Sequence, residues 1–243
     1  MNALGRLKTL YYLTLSPIRG DTHEARLESF YRHQAGDYDA FREKMLHGRE
    51  ELFAALPAER GAHWVDLGAG TGRNAERFGE RIANFDTVQL VDLSSSLLEV
   101  TRQRIADRGW PNVEAVHADA TRFDPPEGSV DLVTCCYSLT MIPGWFAAID
   151  NAWRMLKPGG TIGVVDFYVS RKHPEEHRRR HGWFTRTFWP TWFASDNVFP
   201  SPDHFPYLAG QFDPVHVEEH AGKIPWLPLV RAPYYLFVGR KSV

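Results

Sequence analysis

The sequence predicts an α/β domain built on a parallel sheet, and three observations carry that prediction. Between His63 and Val169, short apolar and β-branched runs alternate with amphipathic stretches, the pattern of strand-helix-strand units. A glycine-rich turn, Gly68-Ala69-Gly70-Thr71-Gly72, separates the first of those runs from a helical pattern. The 243 residues, 43% hydrophobic and 24% charged, suffice for one large folded domain and contain no low-complexity tract.

Taken in order, residues 1–58 read as N-terminal helices, residues 59–169 as a ligand-binding core, and residues 170–243 as an insertion with closing strands, all in one domain. Leu4, Leu7, Leu10, Tyr11 and Leu13 recur at near-helical spacing with Arg6 and Lys8 between them. That pattern suits either a helix lying in a membrane interface or one packed on the domain's own core. Residues 22–56 read as two helices joined around Gly36-Asp37. Strands are expected at His63–Leu67, Val88–Asp92, Val113–His117, Val130–Tyr137 and Thr161–Val169, with helices starting near Gly72, Ser94 and Trp145. The Ser94-Ser95-Ser96 hydroxyls precede an apolar spacing and can cap a helix, and Lys157-Pro158-Gly159-Gly160 stops the following one. Leu132–Ile149 is uncharged but is broken by Pro143-Gly144, so it reads as strand, turn and helix start rather than a membrane span. Residues 170–210 are too long for an ordinary connection. Val215–His220 and Tyr234–Val238 read as two further strands, with Ile224–Leu229 a loop because Pro225 and Pro228 do not suit a central strand.

The net charge of −2 excludes a global attraction to nucleic acid. Basic charge is local: residues 1–20 and 220–243 contain Lys and Arg but no acid, and residues 171–186 hold six Lys/Arg against Glu175 and Glu176. Fourteen Phe, Trp and Tyr fall between Trp183 and Phe237, so basic and aromatic side chains crowd into the same late region. Cys135 and Cys136 are adjacent, which suits neither a metal site nor a disulfide framework, and no leader pattern opens the sequence; a reduced, cytoplasmic protein is expected. His173, His177 and His181 would share one face of a helix, but they are embedded in charged residues, and neither a metal nor a nucleic acid is expected there.

The glycine-rich turn lets the backbone approach a ligand closely and exposes helix N-terminal N–H groups. Asp92 ends the next strand about twenty residues on, where a carboxylate accepts ribose hydroxyls, and Asp119-Ala120 ends the third, where a carboxylate accepts a purine amine. With Asp66, three carboxylates would surround the ligand, which disfavours a pyrophosphate and favours a cationic nucleoside. The motifs Asp66-Leu67-Gly68-Ala69-Gly70-Thr71-Gly72, Asp92, Asp119 and Leu156-Lys157-Pro158-Gly159-Gly160 resemble those of class I S-adenosylmethionine-dependent methyltransferases. The resemblance spans roughly residues 60–170. It implies a Rossmann-like seven-stranded mixed sheet with N-terminal helices and a substrate-side insertion between strands 5 and 6. It also implies S-adenosyl-L-methionine as cofactor, held by Asp66, Gly68, Ala69, Gly70, Asn74, Asp92, Leu93, Asp119, Ala120, Tyr137 and Ser138. Tyr38 and Arg49 would close over the methionine carboxylate, and Cys136, Tyr137 and Ser138 would line the methyl-donor end.

The flanks Tyr38–Arg42, Leu46–Arg49, Ser201–Leu208 and Gly222–Tyr235 are similar to those of the N-methyltransferases of betaine-lipid synthesis. That resemblance implies a lipid partner with a primary amine, diacylglyceryl homoserine, trimethylated at a cytoplasmic membrane surface. Such a substrate carries a carboxylate, for which Arg231 is a candidate. Its product is a quaternary ammonium, which favours aromatic faces. Tyr31, Tyr168, Tyr207, Tyr234 and Tyr235, with His204, complete the substrate-side candidates. Methyl transfer to an amine demands no strong base; Tyr38 or His204 are the candidate proton acceptors and neither is obligatory. Other amphiphiles remain open as acceptors (phosphatidylethanolamine, or a polyprenyl quinone methylated at carbon), as does a non-catalytic cofactor-binding protein.

Overall fold

The structure is a computed structural model that describes residues 20–31, 45–194, 197–224 and 227–242. Two helices, α1 (His23–Tyr31) and α2 (Arg49–Ala55), precede the sheet. The expected joint at Gly36-Asp37, the segment Leu4–Leu13, Pro225 and Trp226 of the expected loop, and the candidate Tyr38 lie outside the described residues. The core strands are β1 (Ala62–Leu67), β2 (Phe85–Asp92), β3 (Val113–His117), β4 (Val130–Cys136) and β5 (Leu156–Phe167). The connections hold a helical segment over Arg73–Asn84, α3 (Ser95–Arg108) and α4 (Trp145–Met155). Beyond β5 come α5 (Trp183–Ala194), α6 (His204–Gln211), β6 (Asp213–Ile224) and β7 (Leu227–Arg240).

The seven strands lie in the order β3-β2-β1-β4-β5-β7-β6. Pairs among β1 to β5 are parallel, and β7 runs antiparallel to both β5 and β6. This is the mixed sheet expected of the class. It leaves the carboxyl ends of the first four strands at one end of the sheet, where ligands of open α/β sheets bind.

Local chemistry explains the elements. Ser94 caps α3, its hydroxyl accepting from the Leu97 amide at 3.4 Å, and Gly109 ends that helix in a left-handed conformation (φ 62). The segment after the glycine-rich turn is 3₁₀ in character rather than a continuous α-helix, because Gly79 (φ 56, ψ −131) breaks it. On one face of the sheet, the rings of Phe53, Trp64, Phe78 and Phe85 meet with centroids 4.8 to 5.9 Å apart. On the other face Val65, Val133, Tyr235 and Phe237 are buried in one cluster with Ile149 and Met155 of α4 and Phe205 and Leu208 of α6.

Two expectations are corrected. The expected Ile224–Leu229 loop is strand at both its ends, since β6 runs to Ile224 and β7 starts at Leu227. Lys223 pairs with Arg231 while Ile224 pairs with Leu227, so Pro228 stands in a bulge, beyond the stretch paired with β5, and no ladder amide is required of it. The run His173–His181 is irregular rather than helical, so its histidines do not share a helix face; the His181 ring instead accepts from the Ser170 amide at 2.9 Å.

Candidate functional site

At the carboxyl end of the strands a cleft of about 940 Å³, its open mouth included, lies between the glycine-rich turn, the ends of β2, β3 and β4, and helix α1. The turn is fixed from two sides. The amides of Gly68 and Ala69 donate to the Val91 carbonyl (2.8 and 2.9 Å), and the Thr101 hydroxyl of α3 donates to the Gly70 carbonyl at 2.8 Å. Gly68 has φ 77, and a Cβ there would come within 2.4 Å of the Ser138 Cβ. Close approach of the turn to β4 therefore requires glycine. A Gly68→Ala variant is expected to lose about 1–3 kcal/mol of stability and the rise in melting temperature that S-adenosylhomocysteine should give the wild-type chain; thermal melts with and without that ligand check this.

Asp92 reaches across the turn. Its Oδ2 accepts from the Gly70 amide and its Oδ1 from the Ser94 amide, both at 2.8 Å. Burial pushes its pKa up while those amide bonds hold it back. Asp119 Oδ1 takes both bonds from Thr121, amide at 2.8 Å and hydroxyl at 2.7 Å. Asn151 steadies this corner from α4, donating to the carbonyls of Ala120 (3.0 Å) and Phe123 (2.8 Å). Leu93, Ala120 and Ser138 line the cleft beside these acids.

Asp66 stands behind the cleft wall rather than in it. It is fully buried, accepts from the Thr134 hydroxyl at 2.6 Å and from Asn74 Nδ2 at 3.1 Å, and burial raises its pKa to about 6. Trp64 Nε1 donates to the same Thr134 hydroxyl at 2.9 Å, closing a relay from the aromatic core to the cleft. Because the amide NH₂ of Asn74 must face this carboxylate, its Oδ1 turns away. That oxygen is buried with no hydrogen-bond partner, in a residue that lines the cleft. A buried acceptor without a donor carries a desolvation cost that a ligand N–H would remove.

The N-terminal elements roof the cleft. His23, Leu27 and Tyr31 of α1 all line it, at i, i+4 and i+8; sequence reasoning picked out only Tyr31, although the helical spacing was there to be read. Glu28 on the same helix accepts from the Ser94 hydroxyl (3.1 Å), the Ser96 amide (3.2 Å) and the Ser96 hydroxyl, which docks α1 on the start of α3. Arg49 opens α2, is buried, and lines the cleft with Arg73, a residue not singled out from the sequence. Tyr137 is held in a left-handed backbone (φ 55), its amide donating to the Val165 carbonyl at 2.7 Å and its hydroxyl to the His47 carbonyl at 2.7 Å. Such a conformation in a tyrosine costs of the order of 1–3 kcal/mol, and here it sits at the tip of β4, where Tyr137 lines the cleft with Cys136 and Met141.

The other substrate-side candidates lie elsewhere. Tyr234 and Tyr235 are neighbours on β7 and so point to opposite faces of the sheet. Tyr235 is fully buried, and Tyr234 is half-buried between His47 and His220, at ring distances of 6.0 and 5.4 Å. Tyr168 and Tyr207 are tied to Glu219 and Asp150, at 2.7 and 2.6 Å. His204 is fully buried edge-on to Trp145, and burial drives its pKa down to about 3, which makes it a packed neutral ring. Arg231 is exposed near the β6-β7 tip. None of these six lines the cleft.

The cleft thus offers carboxylates at one end, and two guanidinium groups with an orphaned amide oxygen at the other. An α-amino acid joined to a nucleoside matches both ends: Arg49 and Arg73 suit its carboxylate, Asn74 Oδ1 its ammonium, Asp92 a ribose and Asp119 a base amine.

Comparison with known proteins agrees with that chemistry. Residues 65–160 match a family described as a methyltransferase domain. A ubiquinone/menaquinone biosynthesis C-methyltransferase UbiE of Pseudomonas putida is 32% identical over 139 residues, 55% of this chain and 54% of that protein. The UbiE of Pseudoalteromonas translucida is 28% identical over 181 residues, covering 72% of this chain and 70% of that protein. The chain spans about half the length of the first of these relatives. Among solved structures, a phosphoethanolamine N-methyltransferase 2 of Haemonchus contortus in complex with S-adenosyl-L-methionine superposes with a TM-score of 0.71 at 15% identity, over 93% of this chain and 61% of that one. An S-adenosylmethionine-dependent methyltransferase of Mesorhizobium loti gives 0.60 at 22%, over 80% and 99%. Residues 65–160 thus match a methyltransferase domain, and the seven-stranded mixed sheet is the fold of the solved S-adenosylmethionine-dependent methyltransferases.

Proposed function

We propose that this protein methylates the amino group of a membrane-lipid headgroup, converting diacylglyceryl homoserine to the betaine lipid diacylglyceryl trimethylhomoserine. The observation that carries the reading is the apolar and aromatic part of the cleft lining. Tyr137, Tyr31, Met141, Cys136 and Leu46 all line the cleft, and aromatic faces with apolar walls suit an amine becoming a permanent cation, worth about 0.5–2 kcal/mol when desolvated. A phosphoethanolamine N-methyltransferase with the same fold supports it.

When bound, the cofactor supplies an electrophilic methyl group on a sulfonium. The chain's part is to hold the acceptor nitrogen in line and exclude water, and such orientation contributes about 7–11 kcal/mol toward lowering a barrier. The amine must be neutral; with a pKa near 8, holding it so at pH 7 costs roughly 1.4 kcal/mol, and a water suffices to remove the proton. The Tyr137 and Cys136 pKa values are pushed well up, chiefly by burial, so neither is poised as a base. A lipid acceptor places the working site at a membrane surface, and the free thiols Cys135 and Cys136 suit its cytoplasmic side. Among the described residues no helix is long and apolar enough to cross a membrane.

A second reading is favoured by the UbiE similarity: carbon methylation of a quinol ring. Incubation with labelled methyl donor and membranes containing diacylglyceryl homoserine, phosphatidylethanolamine or a demethylated quinol separates the two. The proposal expects three methyl groups on the homoserine lipid; label confined to the quinol overturns it. Arg49→Ala is expected to weaken S-adenosylhomocysteine binding about tenfold, the scale of one charged hydrogen bond. Unchanged affinity by calorimetry would remove Arg49 from the carboxylate seat.

A further inference from the structure

We propose that the outer face of α5, with the arginines that precede it, is the surface by which this protein docks on an anionic lipid bilayer. The inference extends the lipid-headgroup reading by naming where the membrane is met, and rests on that reading only for its purpose.

Helix α5 is aromatic on both sides. Its inner side buries Trp189 and Phe193, and Phe193 stacks on Phe167 at the end of β5 with centroids 4.6 Å apart. Its outer side exposes Trp183 (73%), Phe184 (64%) and Trp192 (43%). Phe184, Phe188 and Trp192 follow at i, i+4 and i+8 as a continuous ridge, with ring centroids 5.2 and 5.5 Å apart. A soluble surface rarely leaves so much contiguous aromatic area bare. Tryptophan and phenylalanine beside arginine are the residues that settle at a headgroup boundary.

Position and charge select the occupant. Phe167 also packs edge-on against Tyr137 at 4.7 Å, so the ridge connects through Phe188, Trp189, Phe193 and Phe167 to a residue that lines the cleft. Phe199 (54%) is exposed at the same end of the sheet, its amide bonded to the Thr140 carbonyl just after β4. Residues 177–194 contain no acid, and Arg179 and Arg180 are exposed beside Arg186, whereas Arg178 stacks over the Phe205 ring at 4.1 Å and the Arg179 amide donates to Glu219 at 3.0 Å. A twofold contact with a second copy would set these cations against themselves. An anionic bilayer instead accepts both the cations, at about 1 kcal/mol each near the surface, and the rings.

The test is sedimentation of the full chain with phosphatidylcholine vesicles, with and without phosphatidylglycerol, alongside calorimetry with S-adenosylhomocysteine. Expected is binding that depends on phosphatidylglycerol and weakens with salt. A Phe184→Ser/Trp192→Ser variant should bind vesicles at least about tenfold less, with unchanged affinity for S-adenosylhomocysteine. An Arg179→Gln/Arg180→Gln variant, which leaves the ridge intact, should lose the phosphatidylglycerol dependence. Vesicle binding unaltered in both variants overturns the proposal. So does a wild-type chain that ignores vesicles yet binds S-adenosylhomocysteine, or one that hides the ridge in a dimer or binds single-stranded nucleic acid in preference. The site reading would survive those outcomes, whereas intact vesicle binding without any methylated lipid would count against the acceptor alone.

Discussion

An Asp92→Ala variant is expected to bind S-adenosylhomocysteine at least about a hundredfold more weakly than the wild type, with little change in fold by circular dichroism. Two contributions add. The carboxylate oxygens that would accept ribose hydroxyls are lost, each charged bond being worth about 1.5–3 kcal/mol. The glycine-rich turn also loses its anchor, because Asp92 Oδ2 holds the Gly70 amide and Oδ1 the Ser94 amide. Asp92→Asn, which keeps one carbonyl oxygen, should fall between the two. Titration calorimetry measures all three proteins, and equal affinities for wild type and Asp92→Ala would remove the nucleoside from this seat.

Replacing Asp166 by asparagine should flatten the dependence of stability on pH. Asp166 is fully buried on β5, accepts from the Thr140 amide (3.1 Å), the Thr140 hydroxyl (2.8 Å) and the Phe167 amide (2.8 Å), and burial lifts its pKa to about 7 against an ordinary 3.8. The folded chain therefore holds a proton that the unfolded chain releases at much lower pH. Its stabilising contribution is complete below about pH 4 and is lost progressively as pH rises through about 7. Asp166→Asn cannot ionise; its oxygen, set in the Oδ1 position, keeps the bonds from the Thr140 hydroxyl and the Phe167 amide, while the Thr140 amide bond made by Oδ2 is lost. At pH 8 it should exceed the wild type by up to about 3 kcal/mol, and at pH 4 it should fall about 1 kcal/mol below it, the worth of the lost amide bond. Urea unfolding at both pH values decides the matter. Asp66, raised to about 6 by the same burial, leaves a smaller slope between pH 4 and 6 in both proteins.

The sheet was legible because its strands are written twice, in β-branched composition and in the carboxylates and glycines at their ends. Asp92, Asp119 and the Gly68–Gly72 turn converge on one cleft, as strand-end residues of a parallel sheet must. The substrate side was less legible. Tyr234 and Tyr235 look equivalent in sequence, yet the alternation of a strand sends them to opposite faces. His204 reads as a reactive side chain, whereas its surroundings make it a core residue. Pro228 argues for a loop until the bulge in β7 excuses it from donating a hydrogen bond. His23 and Leu27 were overlooked although they share a helical face with Tyr31, because a nine-residue helix with no large apolar stripe gives no hint of what it covers.

The grip of Glu28 on Ser94 and Ser96 makes the roof and the nucleoside seat parts of one latch, since the amide of the same Ser94 is held by Asp92. Whatever tightens one half tightens the other by an equal free energy. Freeing the grip of Glu28 should therefore loosen the seat that Asp92 holds as well as the roof itself.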